Sequence, residues 1–187
     1  MPRLTEETRR RRREQIAQAA LRVYERDGFD RTTIADIIEE SGLSAGAIYT
    51  HFSNKADLVK FVAEEQFAFV GDAIPEALRT PSEVLEVLFE QIPAKRLAPI
   101  VLQVIAVAVR GGELADLPAI QVARIRSVVS QLLNPWVSEQ PADAREQLRA
   151  DVTQLLVTSM QGRILGSAMD PDFNDAALLS AVRAAFG

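Results

Sequence analysis

Residues 32–58 read TTIADIIEESGLSAGAIYTHFSNKADL, and their spacing of apolar, capping and glycine positions constrains the fold more than any other stretch of the chain. Thr33, three residues before Asp36, makes a capping-box pattern that satisfies orphan N–H groups at a helix start. Ile34, Ile37 and Ile38 then give that helix one apolar stripe. Gly42 closes it, because a residue without a side chain enters the left-handed region at no steric cost, and Leu43 folds back onto the preceding turn. Ser44 is placed to cap the next helix, in which Ile48 and Phe52 lie four apart and share the inward face. A third helix follows at once, opened by Ser53 or Asn54. Two short helices joined at a glycine corner, with a third behind them, are the layout of a helix-turn-helix unit.

The outward face of the second helix has an unusual composition for a surface. Gly46 and Thr50 lie almost opposite Ile48 and Phe52, with Ala47 and Tyr49 on the flanks. A solvated helix would carry Lys and Glu there, and neither occurs between residues 44 and 54. Small residues, one hydroxyl and one aromatic can approach a groove closely. Lys55 points the same way: in the first turn of a helix it sits against the positive dipole end, an unfavourable placement unless an anion comes there. A DNA phosphate is the natural anion.

In the run Thr32-Thr33, Ile37, Gly42-Leu43-Ser44, Gly46, Ile48-Tyr49, His51-Phe52, Lys55 and Leu58, the stretch resembles the DNA-binding region of the TetR/AcrR family of bacterial transcriptional repressors. The helix before it fits as well: Ile16, Ala19, Ala20, Val23 and Tyr24 recur at helical spacing, and Arg26-Asp27-Gly28-Phe29 ends it. The resemblance covers the first third of the chain. It implies that Thr33, Tyr49, His51 and Lys55 hold DNA phosphates, and that Ala45, Gly46, Ala47, Tyr49 and Thr50 face base edges. Each position has a purely structural alternative: Tyr49 as packing between helices, Thr33 as a cap, His51 as a hydrogen-bonded member of the unit. Ala45, Gly46 and Ala47 lack the bidentate fork that Arg, Asn or Gln uses on a purine, so sequence choice would rest on thymine methyls, Tyr49, Thr50 and DNA shape.

A net charge of −5 argues at first against a nucleic-acid partner, but its distribution answers the objection. Residues 1–60 hold 11 basic and 10 acidic side chains, whereas residues 61–187 hold 10 and 16. Within the first part, Arg3 and the unbroken arginine run at residues 9–13 gather positive charge at the start of a helix, where the dipole prefers acids. Such a run contributes salt-dependent, sequence-independent affinity for phosphates or a minor groove.

Beyond Leu58 the chain reads as helices over residues 54–73, 81–91, 94–110, 117–139, 142–169 and 173–186, punctuated by Pro75, Pro93, Gly111-Gly112 and Pro141. Residues 142–169 end in Gly162 and Gly166, four apart. Each glycine costs up to about 1 kcal/mol in a helix, a cost that close helix packing would offset. The resemblance implies a homodimer, with Leu155, Ser159, Gly162, Gly166, Leu178 and Val182 at the interface, and two recognition helices reading half-sites about 34–36 Å apart on a palindromic operator. It also implies a small-molecule effector held by the middle helices. An apolar pocket lined by Phe61, Phe67, Phe89, Trp136 and Met160, with Gln103, Arg110, Gln121 and Arg124 as polar anchors, is compatible with this and suits a hydrophobic effector.

The composition excludes several other classes. The absence of cysteine removes disulfides, thiolate metal sites and a cysteine nucleophile, and the single histidine, His51, lies in the DNA-reading helix. Neither a GxxxxGK phosphate loop nor a GxSxG elbow occurs, so no catalytic role is expected, nor any cofactor or metal. Without a signal peptide or a membrane-length apolar run the chain reads as cytoplasmic and not membrane-bound. The expected fold is all-α, with about nine helices. Residues 1–55 form a three-helix DNA-binding domain, and residues 56–187 form a helical bundle for effector binding and dimerisation. The expected function is a ligand-responsive transcriptional regulator, most simply a repressor. The alternatives are a helical adaptor acting through a protein partner and an activator of the same fold.

Overall fold

The computed structural model describes residues 6–72, 80–170 and 172–186, with the side chains of residues 66–72 outside the described set. The described residues are helical with no strand, in the order α1 (Glu6–Asp27), α2 (Ile34–Ser41), α3 (Ala45–His51), α4 (Lys55–Asp72), α5 (Pro81–Gln91), α6 (Ala94–Val109), α7 (Leu117–Leu132), α8 (Asn134–Ser138), α9 (Arg145–Met169) and α10 (Asp175–Phe186). The all-α expectation holds, with ten helices among the described residues where about nine were expected.

The extra helix comes from residues 117–139, which the sequence reads as one. Pro135 has no N–H to donate and its ring crowds the preceding turn, so α7 stops at Leu132 and α8 restarts with proline in its first turn. Other starts move inward because caps replace helical residues. Asn54 Oδ1 accepts from Asp57 N at 2.8 Å, and Asn174 Oδ1 accepts from Ala176 N at 3.0 Å. Both asparagines therefore stand outside the helices they open. Thr80 makes a full capping box with Glu83, with Pro81 in the first turn of α5.

The chain divides into two compact units, the described residues of Met1–Gln66 with Pro99–Pro118, and Phe67–Ala98 with Ala119–Gly187. In the first, Ile16, Ala19, Ala20 and Val23 of α1, Ile37 of α2, Ile48 of α3 and Leu58 of α4 all have no exposed surface. Each short helix thus buries an isoleucine fully, and such burial is worth about 1.5–3 kcal/mol per large aliphatic side chain. In the second unit Val84, Leu85 and Leu88 of α5 and Leu156, Val157 and Met160 of α9 are buried, as are Val129, Leu133 and Val137.

Arg163 of α9 is a charged member of this second core. It is 8% exposed, its Nη1 donates to the Ile92 carbonyl at 2.6 Å and its Nε to Asp175 Oδ2 at 3.0 Å. Its guanidinium lies 4.3 Å from the centre of the Phe89 ring. One side chain thereby ties the end of α5 and the first turn of α10 to α9.

Several residues expected at a dimer interface are consumed inside this unit. Ser159 and Val182 are buried, and Ser159 Oγ donates to the Leu155 carbonyl within α9. Gly166 faces Phe173, whose ring carbons stand 2.3 Å from where a Cβ would be, so its missing side chain admits an aromatic of the same chain. Gly162, in contrast, has nothing within 4 Å of a Cβ. It lies on an exposed stripe with Leu155, Leu165 and Met169, while Leu178 is half-buried.

Candidate nucleic-acid interface

The first unit presents α3 on a scaffold whose local geometry follows from its caps. Thr33 N donates to Asp36 Oδ2 at 2.7 Å and Asp36 N to Thr33 Oγ1 at 3.3 Å, the reciprocal capping box read from the sequence. These bonds to Thr33, backbone first, hold the Asp36 carboxyl below its usual range. Gly42 takes φ 67°, which turns the chain between α2 and α3, and Ser44 Oγ accepts from Ala47 N at 3.2 Å. Gln15 of α1 reaches across to the Ser41 carbonyl at 3.1 Å. Arg22 and Arg26 of α1 hold Glu40 of α2 at 2.7 and 3.0 Å.

On this frame Ile48 and Phe52 point inward, while Ala45, Gly46, Tyr49 and Thr50 are exposed and Ala47 is half-buried. Tyr49 keeps 56% of its surface, far too much for a ring packed between helices. Thr50 Oγ1 donates to the Gly46 carbonyl at 2.7 Å, which leaves its oxygen lone pairs outward as acceptors. The five expected base-facing residues therefore share one helix, with nothing within 4 Å above Gly46.

The four expected phosphate residues are differently placed. Tyr49 is open. The Thr33 hydroxyl proton goes to Asp36 Oδ2 at 2.7 Å, so the cap engages it. His51 is half-buried at the end of α3, and its pKa is lowered by burial and then by Arg13, Arg9 and Arg12 of α1. Lys55 is bound inside the unit: Nζ donates to the Phe29 carbonyl and lies 4.1 Å from the centre of the Phe29 ring. Burial holds its ammonium below the usual lysine range, while Asp30 and Asp36 act in the opposite direction. Lys55→Ala is thus expected to cost about 1–2 kcal/mol of stability, the net worth of a charge-assisted bond in a partly solvated place. Urea unfolding checks this, and a change below about 0.3 kcal/mol, the scale of an ordinary surface substitution, would show the contact to be idle.

Gln103 of α6 holds the same corner from the other side. Its Oε1 accepts from Phe29 N at 2.7 Å and from Asp30 N at 3.4 Å, and it would lie 3.2 Å from a Cβ at Gly28, which has φ 83°. A side chain at residue 28 would be both strained and crowded. The sequence placed Gln103 among the effector anchors, but its amide oxygen is spent on the backbone of the reader. Gly28 could be seen as a helix stop; nothing in the pattern disclosed that a residue of α6 fills the space it leaves.

The remaining expected pocket residues are divided between the two units. Phe61 packs against Phe52, ring centres 5.4 Å apart, in the first unit. Phe89 lies beneath Arg163, and Trp136 meets Phe186 edge-on at 6.2 Å. Arg110 and Arg124 are exposed, as long charged side chains usually are. Phe67 lies outside the described side chains. Met160 is buried, and Gln121 is 9% exposed with both amide atoms buried and without a hydrogen-bond partner. An open cavity of about 300 Å³ is lined by Asn134, Val137, Ser138, Arg145, Glu146 and Arg149, none of them expected from the sequence. Among the described residues no group of three or more His, Asp or Glu side chains could hold a metal ion, and no single helix is long and apolar enough to cross a membrane.

Known proteins match this site. Residues 16–62 match the family model of bacterial regulatory proteins, tetR family. The helix-turn-helix transcriptional regulator TtgR of Pseudomonas putida is 50% identical over 60 residues, 32% of this chain and 29% of that protein. AcrR of Shigella flexneri is 32% identical over 91 residues, 48% of this chain and 42% of that protein. The matches thus span less than half the length of these relatives. The fold extends further: a TetR transcription regulator from Haloarcula marismortui superposes with TM-score 0.66 at 21% identity over 94% of each chain. Salmonella enterica GusR gives 0.65 at 18% identity, over 98% of this chain and 96% of its own. FadR of Bacillus subtilis, solved in complex with stearoyl-CoA, gives 0.61 at 17% identity over 90% of this chain and 94% of its own. Residues 16–62 thus match the DNA-binding domain model of the tetR family of bacterial regulatory proteins, and the chain shares the fold of these solved structures.

Proposed function

We propose that the protein is a ligand-responsive transcriptional repressor, with no catalytic role, that acts in the cytoplasm and binds a palindromic operator as a homodimer through residues 1–55. Residues 56–187 hold the effector and the second copy. The observation that carries this reading is the face of α3, where Ala45, Gly46, Tyr49 and Thr50 stand exposed on a helix anchored by the buried Ile48 and Phe52 and capped by Ser44. A face this small enters a major groove closely, and methyls, one ring and one hydroxyl supply its contacts. Selection from random double-stranded DNA by the purified protein at near-physiological salt tests it. A palindromic consensus is expected, and recovery of no motif would remove the reading.

The dimer is supported by the exposed stripe Leu155, Gly162, Leu165 and Met169 of α9. Gly162→Leu leaves the single chain undisturbed, since a Cβ there meets nothing, but it is expected to keep two copies apart. Sedimentation should then show a monomer, and an intact dimer would place the interface elsewhere. An effector site in the second unit is supported by Gln121. A buried amide without partners costs roughly 1–3 kcal/mol per unsatisfied group, which a ligand bearing a donor and an acceptor would offset. Among the fold neighbours, FadR holds an acyl-CoA, which fits a hydrophobic effector. Release from DNA requires the effector to bind the DNA-incompetent state more tightly, by the factor the release demands.

A further inference from the structure

The arginine run at residues 9–13 is not uniform. Arg9 pairs with Glu6, Arg10 with Glu14 and Arg11 with Glu7, all within α1, and Arg12 donates to Gln15 at 3.0 Å. Arg13 differs. It donates no hydrogen bond and pairs with no acid among the described residues, and its Nε is buried without a partner. Its guanidinium is seated on two rings instead, 4.1 Å from the centre of Phe61 and 5.3 Å from that of Phe52. Phe52 also neighbours the imidazole of His51, ring centres 6.5 Å apart.

Two features of this arrangement point outward. Cation–π contact fixes a guanidinium's plane but uses none of its five N–H donors. His51, the adjacent group, has its charged form disfavoured by burial and by the nearby arginines, Arg13 foremost, so the folded chain gathers positive charge around it. A rigid, undonated guanidinium beside an imidazole is suited to an anion of phosphodiester geometry. The end of α3 also carries the negative pole of its dipole, so an anion would reach it only where cations outweigh that pole.

We propose that Arg13, seated on Phe52 and Phe61, forms with His51 a phosphodiester-binding site at the C-terminal end of α3, and that Arg13 is the one member of the arginine run built for direct phosphate contact. The proposal rests on the DNA-binding reading and adds a residue to it. Phe61, expected to line an effector pocket, becomes the seat of this arginine. Other members of the run act through the general field, their side chains already engaged along α1.

Fluorescence titration of a random-sequence duplex of about 30 base pairs, long enough for two half-sites, tests the site across a salt series. Arg13→Gln should lower the slope of log affinity against log salt by about one unit, uniformly across duplex sequences, while Arg13→Lys keeps the slope and Arg145→Gln in the second unit changes nothing. A folded Arg13→Gln protein with the wild-type slope would overturn the site. Should Arg13→Gln fail to fold, the wild-type protein answers instead. Its Arg13 Nε–H and His51 ring resonances should shift together on adding the duplex, and resonances that stay fixed would overturn the proposal. Wild-type protein that binds no duplex at all would remove the DNA-binding reading itself, an outcome distinct from loss of the Arg13 site alone.

Discussion

Gly46→Glu is expected to lower DNA affinity by at least about 100-fold, near 2.7 kcal/mol, while making the folded protein slightly more stable. The two effects separate because residue 46 faces nothing within the chain: a Cβ there has no neighbour within 4 Å. Replacing glycine in a helix recovers up to about 1 kcal/mol of backbone entropy, and an acid in the first turn of α3 meets the positive end of its dipole. Against DNA the same side chain is a long carboxylate pushed into a polyanion at the point of closest approach. Gly46→Ala gives the intermediate case, with the stability gain and only the steric part of the binding loss. Duplex binding and urea unfolding measured on the same samples decide it. If Gly46→Glu binds as tightly as the wild type, the exposed face of α3 is not the reading surface.

The largest stability effect is expected at Arg163. Arg163→Ala should cost about 3 kcal/mol, at the lower end of what breaking a buried charge pair costs. The figure belongs there because the Asp175 side chain keeps 40% of its surface and can rehydrate, whereas the Ile92 carbonyl loses its Arg163 bond where that side chain was buried. Arg163→Met retains apolar contact with Phe89 and should lose less. Arg163→Lys should not rescue fully, since a compact ammonium cannot span Ile92 and Asp175 in the plane that stacks on the ring. Urea unfolding is the measurement, and a loss below about 1 kcal/mol would show that the network contributes little.

The sequence was most legible where the chain's own local chemistry decides the outcome. Thr33 with Asp36, Gly42 and Ser44 specify ends that depend on neighbours within four residues, and each end fell where the pattern placed it. Pro135 was legible in principle, because a proline inside an apolar period breaks a helix, yet the longer period of residues 117–139 concealed it. What could not be read was the destination of polar side chains on long helices. Gln103 sits among hydrophobic residues and looks like a ligand anchor, but its partner is a backbone amide 74 residues away. Gly166 looks like a contact between copies, and only the position of Phe173 shows that the chain fills that space itself. Arg13 was one of five identical letters until the rings beneath it singled it out.

The bond from Gln103 to Phe29 also bears on the order in which the protein is made. A ribosome adding about 5–20 residues per second delivers Gln103 roughly 4 to 15 seconds after Phe29. Throughout that interval the corner between α1 and α2 has its caps and its aliphatic core but lacks the acceptor for two of its amides. This corner of the first unit is thus made well before it is finished. A newly made molecule closes this corner only when Gln103 of α6 has been synthesised, so completion of the helix-turn-helix unit is timed by a residue far outside it.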